Sequence, residues 1–181
     1  MDDANTVIEV GQNLTGTPTY VITEIFLNFD TSSIPDDATI TAVTLRLRLA
    51  FDLSTTDFIM RARERDWGDT LEAADWASVY TDTLLATLDS AGLAGSYNSF
   101  VSQAAFIAAV NKTGRTRFFI HSSLQESNTA PTGLEFVDFR ANEDINGTPP
   151  QLDVTYSVPE APLAPATSQP AIAISHSVAA Y

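Results

Sequence analysis

Between residues 43 and 51 apolar and polar positions alternate: Val43, Leu45, Leu47, Leu49 and Phe51 are separated by Thr44, Arg46, Arg48 and Ala50. Successive side chains of a strand point to opposite faces, so this period of two predicts a strand with one face buried. The same pattern predicts strands over 5–10, 19–29, 58–66, 115–122, 134–140 and 151–158. Between them, SSIPDDA, DLSTTD, NKTG and EDINGTPP supply the Pro, Gly, Asn and Asp that turns need. Many short strands joined in this way indicate an all-β chain folded as an antiparallel β-sandwich. Its inward set is Phe29, Leu45, Leu47, Leu49, Val154 and Tyr156. Only VSQAAFIAAVNKTG, residues 101–114, has helical spacing. Ser102 is its candidate cap, Phe106 and Val110 lie four apart with Ile107 beside them, and Gly114 follows its end. A shorter helical turn is expected within TLEAADWASV.

The composition changes after Val158, where Pro159, Pro162, Pro165 and Pro170 interrupt regular structure and favour an extended chain. The expected organisation is a sandwich domain over 1–158 and an extended C-terminal tail over 159–181. In the tail, Ile172 and Ile174 alternate with small residues, a pattern suited to a strand added to another subunit's sheet edge. A linker is the plainer use of such a composition. No apolar run approaches the roughly 20 residues of a membrane-spanning helix. The acidic start MDDANTVIEV lacks the basic and apolar regions of a secretory signal, so export by a signal peptide is not expected.

Charge adds a question. The chain has a net charge of −14, yet five of its nine Lys and Arg residues, Arg46, Arg48, Arg61, Arg63 and Arg65, fall within residues 43–67. If DLSTTD closes a hairpin, pairing Leu49 with Met60 and Leu47 with Ala62 sets Arg48 opposite Arg61 and Arg46 opposite Arg63. Directly opposed like charges destabilise a strand pair, so carboxylates must come from elsewhere. Either acids of this chain, such as Glu24, Glu64 or Asp153, neutralise the ladder, or a partner does. Guanidinium groups grip carboxylates bidentately, which suits uronic-acid polysaccharides or the acidic surface of an identical neighbour. The five arginines, with Ile172 and Ile174, are the candidate partner-binding residues. So acidic a chain repels phosphate backbones, and nucleic acid is not an expected partner.

Three stretches together resemble the jelly-roll modules called DNRLRE domains, related to a family of carbohydrate-binding modules. EIFLNFDTSSIPDDATITAVTLRLRL is similar to their signature of a strand ending in Phe-Asp, a Ser-Ile-Pro turn and an alternating strand. RDWGDTLEAADW resembles their Trp pair, and the segments from FVSQAAFIAAV to QLDVTY resemble their helix and closing strands. The match covers roughly residues 5–157. It implies a jelly roll found in bacterial surface proteins, polysaccharide-active enzymes and viral structural proteins, often without catalysis of its own.

The chain offers little for catalysis. Its two histidines are His121 on a predicted strand and His176 in the tail, and with no Cys there is no thiolate chemistry or thiolate metal site. HSS at 121–123 is a chance neighbourhood, and Glu64, Asp66 and Asp69 are expected to be solvated carboxylates. Asp30, Asp36 and Asp37 suit turn chemistry better than calcium. Trp67 and Trp76 are expected to pack, because a domain of this kind needs large apolar anchors under its long loop. Tyr80 and Tyr97 are then the expected exposed rings. No cofactor, metal site or membrane partner is expected. These features predict a non-enzymatic structural or decorating subunit of a larger assembly, a bacteriophage virion above all, attached partly through its tail. The alternative is a carbohydrate-binding module for acidic polysaccharide at a cell surface or in a secreted enzyme.

Overall fold

A computed structural model describes residues 6–16, 19–76, 79–142 and 148–160. The tail from 161 onward, with Ile172, Ile174 and His176, lies outside the described residues. The strands and helices are β1 (Val7–Gly16), β2 (Thr19–Thr23), β3 (Ile25–Asp30), β4 (Thr39–Asp52), β5 (Ile59–Glu64), β6 (Leu84–Asp89), β7 (Tyr97–Ser99), β8 (Val101–Ser102), α1 (Ala104–Ala109), β9 (Arg115–Ser122), α2 (Ser123–Glu126), β10 (Leu134–Arg140) and β11 (Gln151–Ser157), with a 3-10 turn at Ala73–Asp75.

All strand pairs are antiparallel and form two sheets. One contains the run β2-β1-β10-β4, with β7 and β11 also on β4; the other runs β3-β9-β5-β6-β8. The order β1-β10-β4-β7 facing β3-β9-β5-β6 is that of a jelly roll, in which the chain repeatedly crosses from sheet to sheet. Alternation along β4 sends Val43, Leu45 and Leu47 into the core, where they join Ile25, Met60, Leu85, Phe106, Phe118 and Ile120. Phe29, Leu49 and Val154 pack against that cluster while partly buried. Tyr156, expected inside, is exposed although it shares a face with Leu152 and Val154: the three line one shallow depression near the end of β11.

Three local expectations change. β4 and β5 do not form a hairpin, because they belong to different sheets. Instead of turning back, the chain follows β10, with Leu53 N–H donating to Phe136 O and Thr55 N–H to Leu134 O. It then crosses with Phe58 buried in the core. The expected strand over 19–29 divides at Glu24 into β2 and β3, again on different sheets. The helix is only six residues long, with Gln103 at its N-cap, while Ser102 lies in β8 and donates its hydroxyl to Val43 O at 2.6 Å. Phe106 and Val110 are buried as expected.

Candidate functional site

The crossing of the chain between β4 and β5 disperses the arginine cluster. Arg46 and Arg48 project from the first sheet and Arg61 and Arg63 from the second, so the two groups occupy opposite outer faces of the sandwich. Arg48 pairs across the ladder with Tyr97, and Arg61 lies between Thr87 and His121, not opposite another arginine. Arg46 reaches Asp153 at 2.7 Å and lies over the Tyr97 ring. Among the described residues Arg48 forms no ion pair.

The arginines of the second sheet have a structural task. β9 is buried along nearly its whole length: Phe118 and Ile120 face the core, while Phe119 and His121 face outward yet have no exposed surface. What covers them is the long segment after β5, together with α2. Arg61 and Arg63 both bind Glu126 of α2, the latter at 2.9 Å, and Arg63 Nη1 donates to Asp82 O at 2.6 Å. Arg65 binds the Asp82 carboxylate, donates to Asp75 O at 2.8 Å and lies 4.5 Å from the Phe119 ring centroid. Arg117 joins Asp66 and Asp69 and lies over Trp67. Asp153 pairs with Arg46 as expected, while other acids of the chain, Glu126 and Asp82, bind Arg61, Arg63 and Arg65; Glu24 accepts from Tyr80 and Gln125.

His121 lies at the centre of this covering layer. Arg63 Nε donates to its Nε2 at 3.0 Å, so Nδ1, 3.1 Å from Ser122 O, carries the ring proton. Tyr80 stacks on the ring at 4.0 Å, with its hydroxyl on Glu24 at 2.9 Å. Burial pulls the His121 pKa down to about 4, with nearby Arg63 and Arg61 adding to the fall against the opposing pull of Ser122 and Glu126. Burial, followed by the Glu24 charge, raises the Tyr80 phenol. Neither Tyr80 nor Tyr97 is an exposed ring: Tyr97 donates its hydroxyl to Pro149 O and accepts from Gln151. The adjoining serines serve the backbone, Ser122 accepting from Leu124 N–H and Ser123 from Ile59 N–H. Asp30 likewise makes a turn, accepting from Ser32 N–H and Oγ.

A larger concave surface lies elsewhere among the described residues, where the β1–β2 side of one sheet meets β3 of the other. An open groove of about 1180 Å³ is walled by these strands, by Asp138 and by the segment carrying Trp67, Asp69, Thr70, Leu71 and Trp76. Trp67 packs edge-on against Phe26, as expected of an anchor, whereas Trp76 is 44% exposed. Glu9 stands directly opposite Asp138, and no cation among the described residues pairs with either. Burial and then the Glu9 charge push the Asp138 pKa up to about 6. Asp138 Oδ1, Asn28 Oδ1 and Trp67 Nε1 are buried in this wall without hydrogen-bond partners among the described residues. Opposed like charges and unsatisfied polar atoms lower stability, and such departures concentrate at functional sites. The sequence shows the Trp pair but not the groove, because β1, β3 and β10 converge only through sheet topology.

No family model matches the chain, and no curated protein matches it.

Proposed function

We propose that this chain is a non-catalytic β-sandwich that binds a neutral, polyhydroxylated ligand, a glycan chain, in the groove between its sheets. The observation that carries this reading is the exposed Trp76 ring on a groove that also holds Thr23, Asn28, Thr70 and several carboxylates. A sugar presents an apolar face that stacks on an aromatic ring and hydroxyls that bond to amides and carboxylates, and concave sites of mixed lining suit it. Glu9, Glu24, Asp69 and Asp138 against the single Arg115 disfavour a uronic-acid chain there. The arginines that suggested such a ligand mostly hold carboxylates of their own chain. Affinity electrophoresis through neutral and uronic-acid polysaccharides tests the proposal. Retention by a neutral gel, lost in Trp76→Ala, supports it; retention only by the uronic-acid gel, or by none, contradicts it.

A second reading, a structural or decorating component of a larger assembly such as a bacteriophage virion, draws on a different observation. The outer edge of β2 is unpaired among the described residues, and its sequence TYVIT has no charge and exposes Tyr20 and Val21. An uncharged edge accepts a strand from another chain. Concentration-dependent association in sedimentation, abolished by Val21→Lys, favours this second role.

A further inference from the structure

The layer over β9 also forms one wall of the groove. Trp67 and Trp76 belong to the same segment as Tyr80 and Asp82, which rest on His121, Arg63 and Arg65. Arg63 is the hub, donating through Nε to His121, through Nη1 to Asp82 O and through Nη2 to Glu126. Its hold on His121 requires a lone pair on Nε2. A proton on that nitrogen turns the acceptor into a donor, and the Arg63 Nε–H then faces an N–H.

We infer that His121 is a proton-operated latch for the groove wall: neutral, it holds Arg63 on the covering segment, and protonated, it displaces Arg63 and loosens the segment that carries both tryptophans.

The charged groups around the ring leave the added proton poorly compensated. Arg61 and Arg63 face it from β5, and Arg65 lies beyond them against Phe119. Glu126 of α2, 3.9 Å from Nε2, is the adjacent carboxylate, and it already binds both Arg61 and Arg63. Protonation therefore sets three cations against that carboxylate, and a ring that turns to it competes with Arg61 for the same oxygen. From the covering segment, Tyr80 stacks on the ring and Asp82 holds Arg65; Glu24, beside β3, engages the Tyr80 hydroxyl. None of these groups accepts a hydrogen bond from Nε2. Release begins where Arg63 leaves Asp82 O, and the segment then rests on Arg65, which holds Asp82 and Asp75 O, and on Arg117, which holds Asp66 and Asp69. With the groove as the binding site, which rests on the function proposed above, acid releases its ligand; the latch itself is independent of that reading.

The two tryptophans are the only ones in the chain, so their emission reports this segment directly. The test uses ligand-free full-length protein between pH 7 and 3.5, combining acrylamide quenching, far-ultraviolet circular dichroism and an NMR titration of the His121 ring, assigned with His176→Gln. The latch predicts that quenching rises at least twofold with the same midpoint as His121, near pH 4, while the sheet signal stays constant. His121→Gln, whose amide oxygen still accepts from Arg63 but takes no proton, is predicted to show no rise. Tryptophan exposure that ignores the His121 titration, that accompanies loss of the sheet signal, or that persists in folded His121→Gln overturns the inference. If that variant does not fold, the wild-type midpoints decide. Failure of glycan binding in the electrophoresis leaves these outcomes unchanged and refutes only the ligand.

Discussion

Glu126 and Asp153 each neutralise arginine, but in different settings. Glu126 serves two guanidinium groups in the layer over β9, whereas the Arg46–Asp153 pair is largely in water, with side-chain exposures of 37% and 51%. An exposed pair contributes about 0–1 kcal/mol, while depriving partly buried charged donors of their acceptor costs about 1–3 kcal/mol. Urea denaturation is therefore expected to show a clear loss for Glu126→Gln and little for Arg46→Ser. His121 and Asp138 give opposite pH signatures in the acid range. The unfolded chain binds a proton at His121 near pH 6.5 and the folded chain only near 4, so its contribution is intact above 6.5 and is lost as pH falls towards 4. Asp138 is protonated in the folded state up to about pH 6 and in the unfolded state only to about 3.8, so its penalty develops as pH rises between those values. Asp138→Asn is thus expected to stabilise the protein at pH 7, by about 1–2 kcal/mol after solvent screening, and to change little below pH 4. Thermal melts of both proteins across this range check the sign. Gly11 adopts φ 137°, and a Cβ there would lie 2.2 Å from Glu135 O, so Gly11→Ala is expected to cost at least about 1–3 kcal/mol.

At the scale of elements, β4 was legible because one of its faces is core and the other is not. Leu47, wholly buried, is expected to cost about 2–5 kcal/mol on truncation to Ala, against under 1 kcal/mol for Arg48→Ser, measured by denaturant midpoint. The strands β9 and β10 also match their expected spans, residues 115–122 and 134–140. Partnership was not legible. DLSTTD has the composition of a hairpin turn, yet Leu53 and Thr55 continue along β10 and Phe58 fills the core, so a long-range pairing overrides a local turn signal. β6 escapes a period-two search because consecutive Leu85 and Ala86 are both buried. The unbroken run FFIH in β9 was the available sign that this strand is covered on both faces, and hence that the arginines beside it have a covering segment of their own chain to bind.

At the scale of the whole molecule, the jelly-roll crossings place arginines that are neighbours in sequence on opposite faces and bring β1, β3 and β10 to one groove. The positive cluster thus resolves mainly into an internal clamp, and the surface proposed for binding is the aromatic, acidic groove whose wall that clamp supports. The most direct test is an amide chemical-shift map of the full chain during titration with a neutral oligosaccharide retained in the electrophoresis screen. The predicted perturbations cluster on Ile8, Thr23, Asn28, Trp67, Thr70, Trp76 and Asp138, including the indole N–H of Trp76. Perturbations centred on Arg46, Arg48 and β11, or none at saturating oligosaccharide, contradict the assignment of the groove as the binding site.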